Sequence, residues 1–446
     1  MTETSRPKTD TSGSYLSTTG ASALYIGALL GPSLLLLPGL AARLAGPASL
    51  LLWLALLVLS GLIAAVFCGL GTRLGSTGGV ARYTAAGLGE RAGAAAAWCF
   101  LAGVVLGAPV VCLIGGRYAA AMLGAGDGVA IWAALGLLAV VLAVRLAGVR
   151  TGVKLQLVLV AVLAALVVLA VLGAAPHARA ANWHPCAPHG WSGIAQAAPP
   201  LMFAFVGWEA AAPLTTRLRD PRRQLRRVVL AAFAVTSLVY LGLAAATVGV
   251  LGAGAGGPVP LADLLRVAIG AAGPTLAVVL ALALTLAATN AYLTGAAAMA
   301  EALLPRKARG AVPGGGDAAG GGRRGTVGIV AVTALTGGPM ILLVGNGVLG
   351  TDQLVSVPTA LFLAVYLGCT AAAARVLPGA LRLAAAISAV TVLVLLAGTG
   401  WPALAAAAVA LLAAARTPAA RPVPADATTD VATDAAATAR SDRQPA

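Results

Sequence analysis

Charge is scarce in this chain. Asp, Glu, Lys and Arg make up 10% of its 446 residues, against roughly a quarter in an ordinary globular protein. That shortage, with 60% hydrophobic residues and a mean hydropathy of +0.94, excludes a water-soluble domain. Aromatic residues are also few, at 4%. The apolar mass is therefore Ala, Leu, Val and Gly, small residues that let helices approach closely in lipid. The five cysteines form no framework. Cys68, Cys99, Cys112 and Cys369 lie in apolar runs and Cys186 stands alone in a loop, so neither disulfides nor a metal site are expected. No signal peptide is expected either, because Met1 to Thr19 is polar and holds no apolar core.

What remains is a series of long apolar segments. A membrane-crossing helix needs about 20 apolar residues. The sequence predicts an all-α polytopic membrane protein with about a dozen spans. They fall near 17–41, 47–70, 94–122, 128–147, 153–175, 194–216, 227–252, 273–303, 326–346, 352–375, 382–399 and 401–416. The transmembrane domain is thus 17–416, between an N-terminal tail, 1–16, and a disordered tail, 417–446, rich in Ala, Pro, Thr and Asp. Gly310 to Gly322 reads as a glycine-rich linker.

Positive charge collects on one side of these spans. With the N-terminus inside, only Arg43, Arg117, Arg179 and Arg266 of the 29 Lys and Arg residues fall outside. Inside-positive loops set membrane orientation, so both termini are expected in the cytoplasm and the chain in the plasma membrane. The net charge of +15 is then a topology signal with an affinity for anionic lipid, and nucleic acid is not an expected partner. The six arginines between Arg217 and Arg227 read as a cytosolic anchor. His177, His184 and His189 share an outer loop with Trp183 and Trp191. Their irregular spacing favours a solvated loop over a metal or pH-sensing site.

Two spans contain interruptions that lipid penalises. The first holds Gly31-Pro32-Ser33, with Pro38-Gly39 further on. The sixth holds Gly207, Trp208, Glu209 and Pro213 within seven residues. Proline removes a backbone donor and glycine weakens the helix. A carboxylate at membrane depth is costly unless it faces a cavity or a partner. Either break alone also fits a kinked packing helix. Breaks in spans one and six together match a five-helix unit used twice in inverted orientation, a pattern that points to a transport site. The repeats are expected at about 17–175 and 194–375, with two further helices in 382–416. Freed amides at half-helix ends favour a carboxylate and unwound carbonyls favour an ammonium, which suits a zwitterionic amino acid.

The motifs resemble those of the amino acid–polyamine–organocation (APC) superfamily of permeases, most of all the bacterial methionine and branched-chain amino-acid exporters. The resemblance rests on Leu29-Leu30-Gly31-Pro32-Ser33 with Pro38, Ser76-Thr77-Gly78-Gly79-Val80-Ala81 and Gly107-Ala108-Pro109. It extends to Phe205-Val206-Gly207-Trp208-Glu209-Ala210, Arg219-Asp220-Pro221, Asn290-Ala291-Tyr292 and Asn346-Gly347. It runs from about Leu16 to Arg416. It implies a leucine-transporter-type fold with broken helices one and six, and substrate held among spans one, three, six and eight. The substrate-binding residues so implied are Leu30, Gly31, Pro32, Ser33, Phe205, Val206, Gly207, Trp208 and Asn290. Glu209 is the candidate for proton coupling.

The chain departs from the family in places. Ser33 stands where a second glycine is usual and Pro32 where a small residue is usual. Arg217 replaces an acidic residue, and Arg226 a proline. No lysine occurs in Gln156 to Leu163, where some proton-coupled relatives carry one. Thr285 and Thr289 are the candidates for a sodium site, but threonine also bonds its own helix. A proton gradient, with no bound cofactor, is the expected driving force. An enzyme is not expected, since the spans show no paired carboxylates, His or Cys cluster, or nucleotide loop. A sensor would need a folded signalling domain that the tail is too short to supply. The sparse fixed charge favours neutral, apolar amino acids: methionine, leucine, isoleucine and valine. Export is the implied direction, with import or broader exchange as the alternative.

Overall fold

Backbone groups in lipid must find partners within their own segment, so apolar runs of this length fold as helices. The computed structural model describes residues 17–75, 79–149, 152–210, 215, 218–303 and 318–417, and every regular element among them is helical. The tails 1–16 and 418–446, Ser76–Gly78, Pro213, Arg217 and most of the glycine-rich linker lie outside the described residues. Among those described, nine helical stretches are long and apolar enough to cross a membrane. The other three expected spans are the two interrupted ones and the short helix at the end, so the count follows from the breaks.

Span one is α1 (Thr18–Leu29), a 3₁₀ turn (Pro32–Leu35) and α2 (Leu37–Ala45). The Ser17 hydroxyl caps α1 by accepting from the Gly20 amide at 3.1 Å. Next come α3 (Ser49–Leu74), α4 (Gly79–Leu88), α5 (Glu90–Met122), α6 (Asp127–Leu146) and α7 (Val153–Ala174). Span six begins with α8 (Gly190–Leu201) and continues in two 3₁₀ turns, Met202–Phe205 and Trp208–Ala210. The remainder is α9 (Pro221–Leu251), α10 (Pro260–Ile269), α11 (Ala272–Leu303), α12 (Ala318–Gly345), α13 (Thr351–Val376), α14 (Gly379–Gly398) and α15 (Trp401–Arg416). The Asp220-Pro221 turn starts α9. Asp220 Oδ1 accepts from the Arg223 amide at 3.3 Å while the Asp220 amide donates to Gln224 Oε1 at 2.9 Å.

Three differences from the sequence reading stand out. Helix α4 follows the second span and α10 follows the seventh, and neither was expected as a helix. They occupy matching places in the two halves and, by the parity of the spans, lie on opposite sides of the membrane. That is the mark of an inverted repeat. Helix α12 starts at Ala318, inside the expected linker, rather than near 326.

The core is shared by spans from both halves, with α5 packed on α6, α11 and α13. The two breaks meet at its centre. Gly207 has φ +140°, and a Cβ there would come within 2.8 Å of the Ala28 carbonyl oxygen. Only glycine allows both that dihedral and that approach.

Candidate substrate site and its partition

Each interruption breaks the helical ladder, and tyrosine hydroxyls bond to carbonyls around both breaks. Tyr25 on α1 donates to the Trp208 carbonyl at 2.8 Å, and Tyr118 on α5 to Leu35 at 2.9 Å. Tyr240 on α9 donates to Ala204 at 3.1 Å, and Tyr292 on α11 to Ala28 at 3.4 Å. Tyr366 on α13 lies 3.0 Å from the Phe205 carbonyl oxygen. Five of the seven tyrosines are thus spent on the two breaks. Five different helices supply them.

Between the breaks lies a central cavity of about 50 Å³. Span one contributes Gly31, Pro32 and Ser33, and span six contributes Phe203 and Val206. Helix α5 contributes Gly103, Gly107 and Val111, and α11 contributes Thr289, Tyr292 and Leu293; Phe362 of α13 completes the wall. Among the described residues no charged side chain lines it. Gly31 is extended, with φ −100° and ψ −175°. A Cβ on it would find its nearest heavy atom, Ser33 Oγ, 4.0 Å away. The open space beside the first break is therefore the cavity itself.

A second cavity of about 350 Å³ adjoins the first. Gly79 and Val80 of α4, Gln156 near the start of α7 and Met299 near the end of α11 place it towards one membrane face. Glu209 and Gly207 line it from span six. Ala28 and Tyr292 line both cavities, so the tyrosine ring and its bond to the Ala28 carbonyl form the partition.

Glu209 is tied into the second break. Its Oε2 accepts from the Gly207 amide at 3.0 Å and lies 2.8 Å from the Tyr366 hydroxyl. The Gly207 amide is also 3.2 Å from that hydroxyl oxygen. On the opposite membrane face Arg117 donates to Thr351 Oγ1 at 2.5 Å, joining α5 to α13. Arg43 on α2 stands 4.0 Å from Asp352.

The residues singled out in the sequence divide into four sets. Gly31, Pro32, Ser33 and Val206 line the central cavity, and Gly207 and Glu209 line its neighbour. Leu30, Phe205 and Trp208 line neither and are fully buried. Phe205 packs against Trp53 and Tyr240, with ring centroids 6.0 and 5.6 Å away. Trp208 packs edge-on to Tyr25 at 5.6 Å and donates from Nε1 to Ser60 Oγ at 2.8 Å. These residues support the break rather than face its space. Asn290 lines neither cavity and donates to the Val149 carbonyl at 3.1 Å. Sequence reasoning missed Phe203, two positions from Phe205, together with Tyr292, Tyr366 and Phe362. Of the hydroxyls considered for sodium, Thr285 donates to the Val111 carbonyl at 3.4 Å, and Thr289 lines the cavity.

The family model for amino acid permeases matches residues 16–305. The chain belongs to this family, within the APC superfamily, and is a multi-pass membrane transporter of amino acids. It is 30% identical over 360 residues to a Bacillus subtilis protein named as an uncharacterized amino acid permease, YecA, covering 80% of this chain and 84% of that one. It is 28% identical over 393 residues to the Escherichia coli L-methionine/branched-chain amino acid exporter YjeH, covering 84% and 89%. A shorter match, 28% over 78 residues, links it to the Bacillus subtilis branched-chain amino acid permease BcaP, covering 18% of this chain and 17% of BcaP.

Proposed function

We propose that the protein carries neutral, apolar L-amino acids, methionine, leucine, isoleucine and valine, outward across the plasma membrane by alternating access. The carrying observation is the central cavity. Among the described residues its lining carries no charge, and its polar groups are backbone at the two breaks and the hydroxyls of Ser33, Thr289 and Tyr292. Such a site pairs a zwitterionic head with an apolar tail. It gives no counter-charge to the side chain of arginine or glutamate, whose desolvation would go uncompensated. The exporter YjeH and the permease BcaP, both named for branched-chain amino acids, support this substrate class.

The cavity is contracted, with space for a few waters at roughly 10–15 Å³ each. Leucine needs the walls to part. Tyr292 is the natural moving element, because its displacement joins the central cavity to the larger one beside it. Arginine placement supports a cytoplasmic position for that larger cavity, where substrate for export would enter. Glu209 couples the cycle to protons. It is the acidic residue of that cavity and sits next to the break itself.

Uptake of radiolabelled leucine into proteoliposomes, with and without an imposed proton gradient, tests the reading. Saturable flux that methionine, isoleucine and valine inhibit, and that follows the gradient, is expected. Flux of arginine or glutamate in preference to leucine would overturn the substrate class.

A further inference from the structure

The hydroxyl protons of the central cavity can be assigned one by one. Among the described residues, three side chains in its lining carry hydroxyls: Ser33, Thr289 and Tyr292. Tyr292 gives its proton to the Ala28 carbonyl. Tyr240 gives its own to the Ala204 carbonyl, so in the 3.4 Å contact between Ser33 Oγ and Tyr240 Oη the serine is the donor. The Ser33 hydroxyl therefore offers the cavity only lone pairs. Pro32, beside it, has no amide proton to offer.

Thr289 is different. It is 2% exposed, and its Oγ1 has no hydrogen-bond partner among the described residues. Threonines in apolar helices ordinarily turn back to the carbonyl four residues earlier. Thr247, Thr294, Thr333, Thr359 and Thr370 do so here. Thr289 does not, although it sits on an uninterrupted helix. A buried hydroxyl without a partner is costly and stays so unless something in the cavity bonds to it. Helix α11 packs directly on the Pro32–Leu35 turn, so Thr289 shares the cavity with a stretch of the first break that lends it no side-chain donor.

We infer that Thr289 is a substrate-contacting residue whose hydroxyl donates to the carboxylate of the bound amino acid, while Ser33 and the break carbonyls accept from the ammonium. This rests on the amino-acid reading above and deepens it. The cavity recognises an α-amino acid by its two ends, and Thr289 is the side-chain donor for one of them.

The test uses Thr289→Val, which keeps the shape and removes the hydroxyl, and Thr289→Ser, which restores it. Each full-length protein is reconstituted and its leucine flux measured in competition with unlabelled leucine, with 4-methylpentanoate, which lacks the amine, and with leucinamide, which lacks the carboxylate. A hydrogen bond to a charged group predicts about a tenfold or greater rise in the half-inhibitory concentration of leucine and 4-methylpentanoate in Thr289→Val. Leucinamide should inhibit wild type and Thr289→Val alike, and Thr289→Ser should regain most of the leucine affinity. Equal losses for leucine and leucinamide would show a structural role and overturn the inference, as would an unchanged leucine value. Sodium-dependent flux in the wild type that Thr289→Val abolishes would assign the hydroxyl to a cation instead. If leucinamide does not inhibit the wild type, the leucine KM decides. A tenfold rise in Thr289→Val with recovery in Thr289→Ser upholds the contact, and no rise removes it. Absence of any amino-acid flux in the wild type would instead defeat the underlying reading.

Discussion

The Tyr366 hydroxyl lies 2.8 Å from Glu209 Oε2 and 3.0 Å from the Phe205 carbonyl oxygen, and it has one proton for two acceptors. With Glu209 ionised, the phenol donates to the carboxylate and Phe205 loses its partner. With Glu209 protonated, the acid donates to the phenol and the phenol turns to Phe205. The protonation state is thereby written into the hydrogen bonding of the second break.

Glu209→Gln should separate coupling from capping. The amide keeps the size and the bond to Gly207 but cannot release a proton. Substrate exchange is expected to persist while gradient-driven accumulation falls to the level of facilitated diffusion. Tyr366→Phe should lower exchange as well, because it unties the break. Full proton-driven accumulation in a well-expressed Glu209→Gln protein would end the coupling role.

Gly31→Trp should abolish transport and leave the protein folded. The extended backbone at Gly31 accepts any residue, and the side chain has only the cavity to enter. Leucine flux below about a tenth of wild type, with an unchanged size-exclusion profile, is expected. Wild-type flux from that variant would remove substrate from the first break.

Gly207→Ala should behave in the opposite way and fail to fold well. Its φ of +140° is a glycine region, and its Cβ would press on the Ala28 carbonyl at 2.8 Å. Strain of about 1–3 kcal/mol should appear as a lower thermal midpoint in detergent and reduced yield. A midpoint equal to wild type would mean that the two breaks do not touch.

Phe203 and Phe205 should part company. Phe205→Ala opens a hole among Trp53 and Tyr240 and should destabilise by about 3–5 kcal/mol. Phe203→Ala enlarges the cavity and should shift preference towards larger apolar substrates with little loss of stability. Thermal midpoints and competition by phenylalanine against leucine measure the two effects.

Both breaks were legible in the sequence because Gly31-Pro32 and Gly207 violate the one rule lipid enforces, an unbroken helical ladder. Which side chains face the space was not. Phe203 and Phe205 are equally apolar, and the 3₁₀ geometry of Met202–Phe205 removes the 3.6-residue period that would have told them apart. Asn290 and Tyr292 sit on a helix apolar on all sides, where no polar face marks direction. Tyr366 escaped notice because its own span is uninterrupted and its partners are 157 and 161 residues away. Helices α4 and α10 are too short for a membrane-length window, and only the matching of the two halves gives them meaning.

The tyrosines that cap the breaks make conformational balance sensitive to single atoms. Each phenol belongs to a different helix, so a helix that shifts during the cycle must release its carbonyl or drag it along. Deleting one hydroxyl removes a bond from whichever conformer contains it and leaves the other conformers untouched. A change of about 1.4 kcal/mol redistributes two populations tenfold. Tyrosine-to-phenylalanine variants at positions 25, 118, 240 and 292 are therefore tools for shifting conformers: the conformer seen here should become rarer.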